Sequence, residues 1–110
     1  MPANFNNQIL FVASSAASGN DDFTMIRAGD VYDAFGVANG GTAGTLTVQN
    51  GANAITDAIS VNGGDETLAR AGTIDDANNS LAVGDILRVA KSAAVSTDTA
   101  IYIAASGVSQ

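Results

Sequence analysis

Almost all of the side chains that could do chemistry in this chain are carboxylates. The sequence has 11 Asp and Glu residues against four Lys and Arg, and it has no His and no Cys. A chain of this kind lacks thiolate nucleophiles, His-based catalytic triads, disulfides and the usual zinc sites. Ser14, Ser15 and Ser18 have no evident base to activate them. We therefore expect no catalytic residues, no metal site and no cofactor.

The carboxylates could instead bind calcium, so we compared their spacing with that of a calcium-binding loop. Such a loop needs oxygen ligands at alternate positions, a Gly at the sixth position and a Glu at the twelfth. Counted from Asp76, Leu81 occupies the sixth position and Leu87 the twelfth. The pattern therefore fails, although residues 20–22 and 75–76 could contribute to an irregular calcium site. Acidic residues that cap turns through local hydrogen bonds are the simpler interpretation.

Two further enzymatic patterns are missing from the sequence. Glycosidases hold two carboxylates about 5–10 Å apart in a cleft, whereas Glu66 is the sole Glu of this chain and Trp is absent. The Gly-rich segment 39–44 lacks the Lys-Ser/Thr pair of a phosphate-binding loop, and no helix is expected after it. We interpret segment 39–44 as a hairpin connection.

Charge and hydropathy limit the classes of partner. The formal net charge is −7, and the cations are Arg27, Arg70, Arg88 and Lys91. Nucleic-acid binding requires clustered cations that neutralise phosphates, so we expect no nucleic-acid partner. No apolar run approaches the ~18 residues of a membrane span, and residues 1–4 lack the positive flank of a secretory signal. We expect a soluble protein with no membrane partner.

Tyr32 and Tyr102 are the candidate contact residues of the expected domain. Side chains alternate between the two faces of a strand. The positions expected to face inward beside them are Val31, Phe35, Ile101 and Ile103. Both tyrosines are therefore expected to point outward, where they could form a subunit contact or cover a sheet edge. Stacking on a sugar ring is the alternative.

The elements that would position these side chains follow a period of two. Residues 44–51 alternate small polar with branched apolar residues, which predicts a half-buried strand with Leu46 and Val48 inward and a turn at Asn50-Gly51. The next run places Ile55, Ile59 and Val61 on one face. Asp57 interrupts that face, which indicates a bulge or an edge position.

Similar patterns predict strands along most of the remaining chain. These segments are residues 8–13, 23–27, 31–38, 67–74, 85–90 and 99–105. Turns recur at intervals of about 8–12 residues, which is typical of sandwiches and barrels. We therefore expect an all-β protein, a single small β-sandwich or jelly-roll-like barrel of about seven to nine strands with little or no helix.

The chain length of 110 residues corresponds to one domain. Its apolar residues include 21 alanines, which leaves 30 larger apolar side chains and a thin core. Self-association would stabilise such a fold by mass action. We divide the chain into an N-terminal arm, residues 1–8, and a β-sandwich domain, residues 9–110. Phe5 is the one bulky aromatic of the polar arm, where it could anchor the chain to a neighbouring surface or pack under its own domain.

Two segments carry a resemblance to a known family. Residues 23–31, Phe-Thr-Met-Ile-Arg-Ala-Gly-Asp-Val, and residues 79–89, Asn-Ser-Leu-Ala-Val-Gly-Asp-Ile-Leu-Arg-Val, are joined by Thr-rich strands with Asn-Gly turns. This arrangement resembles the small β-sandwich proteins that decorate tailed-bacteriophage heads, called decoration or cement proteins. The final Leu-x-x-Gly-Asp-x-Leu-x-Val strand entry is its most recognisable part.

The resemblance implies a function and a location. It implies a non-enzymatic virion structural protein that binds the major capsid protein on the outer surface of the capsid, as a homotrimer, and braces the shell against internal pressure. Phe5, Tyr32 and Tyr102 are then the candidate assembly contacts. The alternative is a carbohydrate- or cell-surface-binding β-sandwich module of a phage fibre or bacterial adhesin. We also expect the arm to contribute more to assembly than to folding.

Overall fold

The computed structural model describes residues 8–14, 19–41, 43–62, 68–92 and 95–105. These residues form ten strands and no helix. In chain order the strands are β1 (Gln8–Ser14), β2 (Gly19–Thr24), β3 (Gly29–Gly41), β4 (Ala43–Asn50), β5 (Asn53–Ala54), β6 (Ile59–Asn62), β7 (Ala69–Arg70), β8 (Ser80–Leu81), β9 (Ile86–Lys91) and β10 (Val95–Ala105). The expected all-β sandwich is confirmed. The structure has ten strands rather than seven to nine, because the ten include three strands of only two residues, β5, β7 and β8.

The strands form two antiparallel five-stranded sheets. The first sheet has the order β1-β10-β3-β7, with β8 also paired to β3. The second has the order β2-β9-β4-β5, with β6 also paired to β4. β1 and β2 follow one another in the chain and form edges of different sheets. β1 begins at Gln8, the last residue expected for the arm, and residues 1–7 lie outside the described residues.

The core lies between the inward faces of the two sheets. Its larger buried side chains include Val31, Leu46, Val48, Ile55, Leu81, Leu87, Val89 and Ile101. The first sheet contributes several small residues, because Ala34, Gly36 and Ala38 alternate along the inner face of β3. A Cβ atom at Gly36 would lie 2.7 Å from Cδ2 of Leu46. The missing side chain at Gly36 therefore lets the Leu46 side chain pack directly against the β3 backbone.

A β-bulge in β3 changes the orientation of its side chains. Tyr102 pairs with Asp33 and Ile103 pairs with Val31, so Tyr32 is an extra residue in β3. One inserted residue inverts the alternation that follows it. Our expectation that Phe35 faces inward beside Val31 was therefore wrong. Ala34 is buried instead, and Phe35 lies on the outer face of the first sheet.

The run from residue 55 to residue 61 has the expected burial without being one strand. Ile55, Ile59 and Val61 are all buried. Between them, Thr56 forms only an isolated bridge with Ile74. At Asp57 the chain leaves strand structure altogether, where a bulge or an edge position was expected, and the Asp57 carboxylate accepts a hydrogen bond from the Gly72 N–H at 2.9 Å.

Two other expected strands have different bounds. The segment expected at 23–27 forms a strand only to Thr24, and the strand extends back to Gly19. It ends where the Met25 N–H donates to the carbonyl of Asp85 at 2.8 Å, outside the sheet ladder. Among the described residues of the segment expected at 67–74, only Ala69–Arg70 is a strand. The expected Asn-Gly turn is confirmed: Asn50 pairs with Asn53, and Gly51 has a φ of 61°.

Candidate functional site

The outer face of the first sheet carries a group of exposed apolar and aromatic side chains, which we call the aromatic surface. It consists of Ile9 on β1, Tyr32 and Phe35 on β3, and Tyr102 on β10. Ile9 pairs with Tyr102 across the β1–β10 ladder. The side chains of Ile9 and Tyr32 are each 46% exposed, and Phe35 and Tyr102 are partly buried. Three strands thus bring together residues from both ends of the described chain.

Tyr102 lies at the centre of the three rings. Its ring centroid is 6.0 Å from that of Tyr32, with an interplanar angle of 70°. The Phe35 centroid lies 5.5 Å from that of Tyr102, with an angle of 62°. Both pairs have the edge-to-face geometry that aromatic rings prefer. Tyr102 therefore contacts both of the other rings of the aromatic surface.

A salt bridge closes one side of the aromatic surface. The Arg70 Nη2 and Nε atoms donate to the Asp33 carboxylate at 2.8 Å and 3.1 Å. The hydrogen bond to Asp33 and the charge of its carboxylate raise the pKa of Arg70 above its ordinary value. The Arg70 guanidinium carbon also lies 5.5 Å from the Phe35 ring centroid, a cation–π distance. Arg70 therefore stays charged and packs beside Phe35.

The same Asp33 side chain fixes the bulge that shapes the surface. Its Oδ1 accepts a hydrogen bond from the backbone N–H of Ala34 at 2.9 Å. This contact holds the backbone immediately after Tyr32, the extra residue of β3. The Asp33 carboxylate therefore contacts both the backbone of the β-bulge and the guanidinium of Arg70.

The structure places two of the three candidate assembly residues in one site. Tyr32 and Tyr102 both lie on the outer face, as their alternation indicated, and they contact each other. Phe5 lies outside the described residues. Sequence reasoning missed Ile9, Phe35 and Arg70. The small residues at alternate positions 34, 36 and 38 were a signal for Phe35, because they mark the closely packed face and leave Phe35 on the other.

Two of the acidic residues considered for calcium, Asp22 and Asp75, make other contacts. Asp22 accepts hydrogen bonds from Arg88 Nε and Nη2 at 2.7 Å and 3.0 Å, and this pairing lowers the pKa of the carboxyl. Asp75 caps a turn by accepting from the Ala77 N–H at 2.8 Å and the Asn78 amide at 3.0 Å. Within the described ranges, no three Asp, Glu, His or Cys side chains come together as metal ligands would.

Comparison with known proteins adds no assignment. No protein-family model matches the chain, and no curated protein or solved structure gave a significant match. Among the described residues, no helix is long and apolar enough to cross a membrane. The function of the chain is therefore inferred from its own fold and surfaces.

Proposed function

We propose that the chain is a non-enzymatic virion structural protein, a capsid decoration protein that binds the major capsid protein on the outside of a phage head. In this role it stabilises the shell, and it acts as a homotrimer. The observation that carries the proposal is the aromatic surface, an exposed apolar group on the face of a sheet. The resemblance of residues 23–31 and 79–89 to decoration proteins supplies the particular partner.

The composition of the aromatic surface suits a protein partner. Tyr, Phe and Arg are enriched at the centres of protein interfaces, where a few such side chains supply most of the binding energy. Ring contacts around Tyr102 hold these side chains in place, so binding costs little conformational entropy. The Arg70–Asp33 pair provides a polar rim beside them.

The carboxylates support a non-enzymatic role, because several of them already have structural partners. Asp22 pairs with Arg88 and Asp33 pairs with Arg70. The Asp57 carboxylate accepts hydrogen bonds from the backbone N–H groups of Gly72 and Thr73 at 2.9 Å and 3.4 Å. A general acid or base needs a proton that it can exchange with a substrate. These three carboxylates are instead committed to holding strands and turns together.

Binding to capsids tests the proposal. The probe is an empty capsid assembled from a tailed-phage major capsid protein, sedimented with the purified chain. Replacing Tyr32 or Tyr102 by Ser should weaken binding at least ~10-fold, the size expected for the loss of a central aromatic contact. Val83→Ser is the matched control, because Val83 is 66% exposed and lies outside the aromatic surface. Equal retention of all variants would contradict the proposal.

One observation favours the second candidate, a carbohydrate- or cell-surface-binding module. Tyr32 is 46% exposed and precedes the polar residue Asp33, and an exposed tyrosine beside a polar residue is typical of sites that stack against a sugar. The T-shaped ring pairs offer less flat area than coplanar rings would. Reproducible binding to one sugar class on a glycan array, lost in Tyr32→Ala and Tyr102→Ala, would favour this module over capsid decoration.

A further inference from the structure

A second apolar feature lies where the edges of the two sheets part. It is a groove of about 260 Å³, lined by Leu10 and Ile103 of the first sheet and by residues 23–27 at the end of β2 and beyond it. Ile26 is 88% exposed and Phe23 is 38% exposed. An engineered apolar cavity of about 150 Å³ accepts benzene. The groove is therefore large enough for one aromatic ring.

Within the described part of the chain, the edge strand beside the groove shows none of the usual protection against pairing with another strand. β1 carries no charged residue and no proline, and its seven residues pair with β10 without a register break. Among the described residues β1 pairs with β10 alone. Proteins normally block exposed edges with charges, bulges, prolines or very short strands. The edge strand β2 follows this rule with Asp21 and Asp22, and β5, β7 and β8 follow it by their length.

We propose that the N-terminal arm of a second copy of this chain adds to β1 as a strand and places Phe5 in the groove. In strand addition the backbone supplies hydrogen bonds, and pockets for alternate side chains supply specificity. Phe5 is the only aromatic residue among positions 1–7, and these positions carry no charged side chain. The arm thus has one aromatic side chain that suits an apolar groove and no charged side chain that would oppose its approach.

The direction of β1 favours the arm of another copy over the chain's own arm. Gln8, the first described residue, pairs with Ile103 at the rim of the groove. Leu10 and Val12 face inward along β1, so odd-numbered residues of a continued strand would lie outside with Ile9. A regular continuation of the strand would therefore place the chain's own Phe5 on the outer face, away from the groove.

Arm exchange of this kind is compatible with a trimer. One copy donates an arm, and a different surface of its neighbour receives it, so the contact is heterologous. Heterologous contacts form closed rings when the rotation between neighbouring copies permits. The inference rests on the proposed assembly function only in requiring a second copy. It can be tested on the free protein without any capsid.

Site-directed crosslinking tests the proposal directly, because the chain has no Cys of its own. Ala3→Cys labels the face of the arm that carries Phe5, and Thr24→Cys labels the groove. The two single variants are mixed at micromolar concentration, treated with a short bis-maleimide reagent and analysed by mass spectrometry of the linked peptides. Ser60→Cys replaces Thr24→Cys as the control, because Ser60 is exposed on β6 at the opposite edge of the second sheet.

We expect the yield of interchain linkage between positions 3 and 24 to be at least ~10-fold higher than the yield between positions 3 and 60. This difference is the size expected for one aromatic side chain that anchors the arm. Adding Phe5→Ala to the arm-labelled variant should abolish this preference, and Phe5→Leu should restore much of it. Equal linkage to positions 24 and 60 would overturn the proposal. Linkage confined to one chain in an Ala3→Cys/Thr24→Cys double variant at the same micromolar concentration, seen as a crosslinked product of single-chain mass, would also overturn it by showing that the arm covers its own groove. Neither result would affect capsid binding through the aromatic surface, which is measured separately.

Discussion

At the residue scale, the hydroxyl groups of Thr97 and Thr99 stand out. Both side chains lie on the inner face of β10, with exposures of 1% and 0%. Their Oγ1 atoms are buried and have no hydrogen-bond partner within the described part of the chain. Burying a hydroxyl without a partner costs free energy, and Val has nearly the same shape without the hydroxyl. These two positions therefore lower the stability of an already thin core.

We predict that Thr99→Val raises the free energy of unfolding by about 1 kcal/mol. Thr56→Val is the matched control. Thr56 is also buried, but its Oγ1 donates to the Asp57 carbonyl at 2.8 Å and accepts from the Val48 N–H at 3.1 Å. Its replacement should lower stability by about 1–3 kcal/mol. Urea denaturation measures both variants, and a destabilising Thr99→Val would show that the Thr99 hydroxyl is satisfied in solution.

The Asp22–Arg88 pair gives a prediction about pH. The hydrogen bond from Arg88 lowers the pKa of Asp22 in the folded protein, so this pair stabilises the fold above the unfolded pKa of about 3.9. That contribution is lost as the pH falls through the folded pKa. Arg88→Gln should raise the pKa of Asp22 towards its ordinary value, as measured by NMR titration of the carboxyl carbon. Arg70→Gln, which removes the partner of Asp33, should leave the Asp22 titration unchanged.

Individual residues also show how far the sequence could predict the site. Alternation correctly indicated that Tyr32 and Tyr102 point outward, because Tyr32 follows the inward-facing Val31 and Tyr102 lies between the inward-facing Ile101 and Ile103. Phe35 was misplaced, because alternation assumes a regular strand and the extra residue at Tyr32 breaks that regularity. Arg70 could not have been found from local sequence, since its contact with Phe35 joins β7 to β3.

At the scale of elements, the spacing of the two sheets depends on Gly36 in β3. The Leu46 side chain from β4 occupies the space that a side chain at Gly36 would need. Gly36→Ala should therefore lower stability by about 1–3 kcal/mol, the usual cost of overpacking. Leu46→Val removes the clashing end of the side chain. In a double-mutant cycle measured by thermal or urea unfolding, the two substitutions together should cost clearly less than their sum, and simple additivity would contradict this packing.

Elements were predictable where buried and exposed residues alternate over most of a strand. The long strands β3, β4, β9 and β10 match the expected segments because alternating burial covers most of their length. In the described part of the segment expected at 67–74, the strand is only two residues long. The N–H groups of Gly72 and Thr73 donate hydrogen bonds to the Asp57 carboxylate instead of to a neighbouring strand. Such a contact joins residues about 15 positions apart, and an alternation pattern within the segment carries no information about it.

At the scale of the whole molecule, both the thin core and the exposed surfaces lead us to expect that the protein self-associates. We predict that the free protein sediments at micromolar concentration as a species about three times the 10.9 kDa chain mass. Association adds stability to the folded state by mass action, so the unfolding midpoint should rise with protein concentration. A single 10.9 kDa species whose midpoint is independent of concentration would contradict self-association in solution. Attachment of monomers to the capsid would then remain to be examined in the complex itself.

The most direct test of the central claim asks whether the aromatic surface is covered in the assembled particle. Hydroxyl-radical footprinting compares the oxidation of Tyr32, Phe35 and Tyr102 in the free protein and in the capsid-bound protein, with exposed Val83 as the internal reference. We predict that oxidation of the three rings falls at least several-fold on capsid binding, as expected when side chains enter a desolvated interface, while Val83 changes little. Equal oxidation of the rings in both states would show that the capsid binds another face of the protein, and it would contradict the proposed function of this surface.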